Sequence, residues 1–177
     1  MVTMDKVKVL LSEEALSKKV DEIAERINND FAGEKVIVIG VLKGSFMFLS
    51  DLVKKITLPA EVYFIEASSY GAGTQTTGVV KISKDVERDL GGQNVIVVED
   101  IIDTGITMEK VMELLRARGA KAVKLCACLS KPSRRKVDIN IDYLGFEVPD
   151  EFVVGYGLDV DEMYRNLPYI GVVENAD

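Results

Sequence analysis

Four consecutive β-branched residues at 95–98, Val-Ile-Val-Val, run directly into two adjacent carboxylates, Glu99 and Asp100. A third carboxylate, Asp103, precedes Thr104-Gly105-Ile106-Thr107. An uninterrupted apolar run of this length suits a strand buried on both faces, the kind found in parallel sheets covered by helices. Acids at the C-terminal end of such a strand sit where open α/β sheets bind ligands. A small-residue loop that opens a helix offers unpaired N–H groups and a positive dipole end, both suited to phosphate. Carboxylates for hydroxyls or a metal, beside amides for a phosphate, describe a pocket for a sugar phosphate or nucleotide.

The rest of the chain repeats the strand–helix alternation. Ser12 can cap a first helix carrying Glu13 and Glu14 in its first turn, with Leu16, Val20, Ile23, Ala24 and Ile27 on one stripe. A buried-type strand is predicted at 36–42; Lys43-Gly44-Ser45 turns it into a helix reaching about residue 56, and Pro59 ends that unit. Further strands are predicted at 61–67, 79–83, 95–98 and 122–129. Met108, Val111, Met112 and Leu115 give helical spacing on a segment that Gly119 closes. Short strand-like pieces at 143–146, 152–154 and 169–173 fill the last third. This order predicts an α/β fold, a central and mainly parallel sheet flanked by helices, with a small hood built from C-terminal and N-terminal parts. We expect one domain over residues 1–177, its core at about 12–130 and its hood mainly at about 131–177. Residues 68–78 are rich in Gly, Ser and Thr with one tyrosine, so they read as a lid or as a plain hairpin tip.

Composition narrows the chemistry. The 177 residues contain no histidine, which excludes Ser-His-Asp catalysis, histidine-ligated zinc and histidine proton shuttles. Acid–base work must fall to a carboxylate, Lys, Tyr or Cys. A net charge of −7 argues against a general nucleic-acid binder. Cys126 and Cys128, the two cysteines, read as buried free thiols. The chain has no 18-residue apolar run and no apolar N-terminal leader, so a cytoplasmic protein without a membrane span is expected.

Each candidate has a structural alternative. Asp103 can be a general base or acid, or a helix cap. Glu99 and Asp100 point to opposite faces of an extended backbone; they can serve a ribose hydroxyl and a metal-bound water, or be solvated strand-end acids. Leu42-Lys43-Gly44-Ser45 is a second strand-to-helix loop without the Gly-x4-Gly-Lys spacing of a P-loop, and taken alone it is an ordinary turn.

The segment Glu99-Asp100-Ile101-Ile102-Asp103-Thr104-Gly105 resembles the phosphoribosyl-pyrophosphate (PRPP) signature of type I phosphoribosyltransferases, in the detail of their hypoxanthine-guanine branch. Leu42-Lys43-Gly44-Ser45 resembles that family's pyrophosphate loop, in which the Leu-Lys peptide can be cis. The block from Gly145 through Phe152-Val153-Val154-Gly155-Tyr156-Gly157-Leu158-Asp159 resembles its base-recognition hood, and Ser69-Tyr70 its lid. The matches span roughly residues 36 to 173.

The resemblance implies the type I fold and transfer of phosphoribose from PRPP to a 6-oxopurine, with pyrophosphate leaving. Asp103 would face purine N7, and Glu99 and Asp100 the ribose 2′ and 3′ hydroxyls. Thr104, Gly105, Ile106 and Thr107 would hold the 5′-phosphate. Human-like members carry Lys where Ile106 stands, so this chain keeps the amide cradle without that charge. Lys43, Gly44 and Arg165 would meet pyrophosphate; Lys131 would donate to the 6-oxo group; Phe152 would stack on the base and Val153 present backbone groups to its edge. Asp159 would hold Mg²⁺, with Glu99 and Asp100 within reach of the metal or its water. A lysine at the 6-position favours hypoxanthine and guanine over adenine, leaving xanthine open. The products would be IMP or GMP, and family members are usually homodimers or homotetramers. Two rivals remain: a regulatory RNA-binding protein of the pyrimidine-attenuator type, for which 131–136 is a local basic cluster, and an acid-rich phosphatase or receiver domain.

Overall fold

The computed structural model describes residues 6–69 and 79–174. Six strands form the main sheet: β2 (Val36–Val41), β3 (Ala60–Ser69), β4 (Val80–Lys84), β5 (Asn94–Ile102), β6 (Ala122–Ser130) and β7 (Tyr143–Glu147), in the order β4-β3-β2-β5-β6-β7. All neighbours are parallel except the β3–β4 edge pair.

Burial on both faces explains the central strands. Every residue of β2 is buried, and its alternate side chains enter different cores. Val36 and Val38 pack with helices α1 (Glu13–Asp30) and α2 (Phe46–Val53). Ile37 and Ile39 pack on the other face with α3 (Ile106–Ala117). Fully burying one such side chain contributes ~1.5–3 kcal/mol. Helix α1 starts as expected: the Ala15 N–H donates to Ser12 Oγ at 3.1 Å, and the expected stripe of five apolar residues is buried. Cys126 and Cys128 are free and buried, and desolvation pushes both thiols well above their ordinary range.

Several boundaries differ from the sequence expectation. Strand β5 continues through Glu99 and Asp100 to Ile102, because Glu99, Ile101 and Ile102 keep pairing with Ala127, Leu129 and Ser130. Helix α2 ends at Val53 rather than near 56. Strand β7, within the range assigned to the hood, is the sixth strand of the main sheet. The hood is an antiparallel sheet in the order β1-β9-β8: β1 (Val7–Leu11), β8 (Val153–Val154) and β9 (Ile170–Val173). Its first strand comes from the N-terminal end, which the expected two-ended hood allowed for, although no strand was predicted there. Among the described residues no helix is long and apolar enough to cross a membrane.

The topology locates the crevice. From β2 the chain moves outward to β3, whereas β5 leads the other way to β6. Helix α2 follows β2 on one face, and α3 follows β5 on the other. The loops leaving these adjacent parallel strands therefore diverge, and the gap between them is the switch point where doubly wound sheets bind ligands.

Candidate active site

Both switch-point loops are the ones singled out by sequence. In the first, the Leu42–Lys43 peptide is cis. Ser45 does not cap α2; its buried hydroxyl donates back to the Val41 carbonyl at 2.6 Å, tying the loop to the strand end. In the second, Gly105 sits at the head of α3 with φ 85°, a left-handed conformation that glycine adopts readily. At this helix head the Ile106 N–H makes a long 3.4 Å bond to Thr104 Oγ1, and the first helical bond runs from the Glu109 N–H to the Gly105 carbonyl at 2.9 Å. A cavity of 230 Å³ here is lined by Glu99, Asp103, Thr104, Gly105 and Thr107, among others.

Asp100 joins the loops. A Cβ at Gly44 would overlap the Asp100 carboxylate, and a Cβ at Gly157 would overlap the Gly44 carbonyl. The Asp100 side chain of β5, the backbone of the 42–45 loop and the backbone of the hood thus meet in direct contact. Glu99 accepts a 2.8 Å bond from the Asp100 N–H. Burial first, and the neighbouring Asp100 charge second, push the Glu99 carboxyl well above the ordinary carboxylate range.

The hood supplies charge. Lys43 Nζ lies 3.1 Å from Glu162 Oε2. Arg165 donates to the Gly157 carbonyl at 2.7 Å and lies 3.4 Å from Asp159 and 3.3 Å from Glu162. Its Nε is buried without a hydrogen-bond partner among the described residues. Lys43, Gly44, Asp159 and Arg165 are therefore brought together as expected, with Glu162 as an unexpected member. Among the described residues no three acidic or thiol side chains converge into a metal cage, so Glu99, Asp100 and Asp159 do not form one unaided.

On the other side, Lys131 is only 9% exposed, and its backbone N–H donates to the Ile102 carbonyl at 2.9 Å. Its ammonium makes no bond within the described residues. Phe152 is 62% exposed and precedes β8, leaving its ring open; Val153 is buried and pairs with Val172. Tyr70 and most of the expected lid lie outside the described residues, and Ser69 is described only in its backbone pairing with Val80.

Two arginines were missed within the basic cluster. Arg134 Nε donates to Asp103 Oδ1 at 2.7 Å. Arg135 donates to Ser130 Oγ at 2.6 Å and to the Asp103 carbonyl at 3.1 Å, fastening the β6 exit to the β5 exit. Their clustering was visible in the sequence, but which cation reaches which loop depends on the turn at Pro132–Arg134.

The matched family model, described as a phosphoribosyl transferase domain, covers residues 6–161. The chain is 48% identical to the hypoxanthine-guanine phosphoribosyltransferase of Bacillus subtilis (strain 168), over 99% of this chain and 98% of that one. It is 46% identical to the hypoxanthine phosphoribosyltransferase of Salmonella typhimurium, over 97% of each. A solved hypoxanthine phosphoribosyltransferase from Staphylococcus aureus superposes with a TM-score of 0.93 at 43% identity, covering 96% of this chain and 93% of that one. With the family model matching most of its length and full-length relatives near half identity, the chain belongs to the phosphoribosyltransferase family and is a transferase.

Proposed function

We propose that the chain is a purine-salvage hypoxanthine-guanine phosphoribosyltransferase, transferring 5-phosphoribose from PRPP to N9 of hypoxanthine or guanine to give IMP or GMP and pyrophosphate. The observation that carries this is Lys131 at the β5–β6 exits, next to the Ile102–Asp103 turn: its stem is packed away, the residue being 9% exposed, while its ammonium has no partner among the described residues and is open to a ligand. A cation presented this way favours an acceptor, and a 6-oxo group supplies one where a 6-amino group cannot.

Each residue then has work. The α3 amides with Thr104 and Thr107 hold the 5′-phosphate. Glu99 and Asp100 flank the ribose hydroxyls, and Lys43, Gly44 and Arg165 take the pyrophosphate. Phe152 offers a stacking face to the base, and Val153 its backbone edge. These contacts align N9 with the ribose C1 for in-line attack. As the C1–pyrophosphate bond breaks and the N9–C1 bond forms, the proton at purine N7 passes to Asp103. Positioned proton transfer of this kind contributes ~10²–10⁴-fold.

Asp159 on the pyrophosphate side, and Glu99 and Asp100 on the ribose side, each offer carboxylate oxygens to Mg²⁺, an ion bound by one or two carboxylates with substrate phosphates and water. Bound there, Mg²⁺ would neutralise charge on the leaving pyrophosphate. Residues 68–78, Ser69 and Tyr70 among them, would close over the ribose and exclude water. The reading takes the whole chain as one phosphoribosyltransferase domain working in the cytoplasm. It assembles as a homodimer or homotetramer, for which exposed Phe46, Val62 and Phe64 supply apolar surface.

An activity panel tests the reading. The protein, PRPP and Mg²⁺ are incubated with hypoxanthine, guanine, xanthine, adenine or uracil, and nucleoside monophosphate is measured. Product from hypoxanthine and guanine and none from adenine or uracil is expected; product from adenine instead would remove Lys131 from base recognition. The RNA-binding alternative loses its main support, because Arg134 and Arg135 spend their charge on Asp103 and Ser130 rather than forming an unpaired basic stripe.

A further inference from the structure

We infer that Glu162 is an internal competitor for the pyrophosphate end of the site: a carboxylate held between Lys43 and Arg165 that sets how tightly pyrophosphate binds and how readily it leaves. This rests on the reading of Lys43 and Arg165 as pyrophosphate-binding residues. The two cations come from different parts of the chain, one from the loop after β2 and one from the hood. Glu162 bridges them with separate oxygens, Oε2 to Lys43 at 3.1 Å and Oε1 to Arg165 at 3.3 Å. The same two cations hold the Glu162 carboxyl below its ordinary range, Arg165 contributing most.

The arrangement is built rather than a loose surface contact. Glu162 and the preceding Asp161 both adopt left-handed backbone, with φ 68° and 49°, a conformation disfavoured for residues with a Cβ. The Glu162 N–H is anchored to Asp159 Oδ2 at 2.9 Å. That turn aims the Glu162 side chain at the cations while keeping Asp159 beside Arg165, 3.4 Å away. A bridging carboxylate satisfies both cations when no phosphate is present. It is a single, largely exposed charge, 63% accessible, so a multiply charged pyrophosphate can displace it. When pyrophosphate leaves, the carboxylate re-forms both pairs and favours release.

Titration calorimetry of inorganic pyrophosphate with Mg²⁺, on the full chain, tests this. Replacing Glu162 by Gln removes the competing charge and keeps the backbone anchor to Asp159. Glu162→Gln should bind pyrophosphate roughly three- to tenfold more tightly, the scale of two exposed ion pairs. It should show correspondingly stronger product inhibition against PRPP. Asp161→Asn makes the same charge change one residue away, at a side chain with no ion pair among the described residues, and should shift affinity by less than about twofold. Unchanged or weaker binding in Glu162→Gln, or equal tightening in Asp161→Asn, would overturn the inference. Pyrophosphate that binds the parent but fails to compete with PRPP would instead remove the pyrophosphate assignment of Lys43 and Arg165, and the inference with it.

Discussion

Gly44 is where three parts of the molecule touch, so its missing side chain can be tested directly. Gly44→Ala would drive a Cβ into the Asp100 carboxylate. Overpacking of this kind costs about 1–3 kcal/mol. We predict that it raises the KM for PRPP about tenfold or more while leaving the KM for the base within a few-fold, checked by steady-state kinetics in each substrate. Phe152 makes the opposite case. Its ring is exposed, so Phe152→Ala should leave the melting temperature within about 1–2 °C of the parent. Loss of base stacking, worth about 1–3 kcal/mol, should raise the KM for hypoxanthine at least about fivefold. A fall in stability without a change in that KM would make Phe152 a packing residue.

Electrostatics at the scale of an element is clearest at the start of β3. Glu61 accepts from Lys35 at 2.8 Å and from Arg88 at 3.2 Å, fastening β3 to the segments before β2 and after β4. The Lys35 bond, followed by the Arg88 bond, pushes its pKa down to about 2 from an ordinary 4.5. A depressed folded-state pKa contributes stability above the unfolded value and loses it as the proton returns. Glu61→Gln should therefore melt below the parent at neutral pH. The gap should close as the pH falls from about 4.5 towards about 2, as thermal melts across that range would record. The elements also show what sequence periodicity conveys. Strand β2 and the stripes of α1 and α3 were legible because burial is continuous there. The end of β5 was not: Glu99 and Asp100 read as residues beyond a strand, yet pairing with β6 carries the strand past them. Strand β1 gave no signal of its own, since its three central residues are exposed and its partner β9 lies near the other end of the chain.

At the scale of the whole molecule, the sheet's strand order decides where chemistry can occur. The divergence of α2 and α3 at the switch between β2 and β5 opens the crevice, and the hood closes round it from both ends of the chain. Sequence motifs pointed to many of the crevice residues because each lies in a strand end or loop with a local signature. Arg134, Arg135 and Glu162 carried no such signature; their importance comes from which loop they reach, and only tertiary packing sets that. In the proposed function this crevice runs phosphoribosyl transfer with Asp103 handling the purine proton. The most direct measurement is the turnover of Asp103→Asn with hypoxanthine, beside its PRPP affinity. A kcat lower by about two to four decades, with PRPP binding nearly unchanged, is expected. A rate near that of the parent would contradict it.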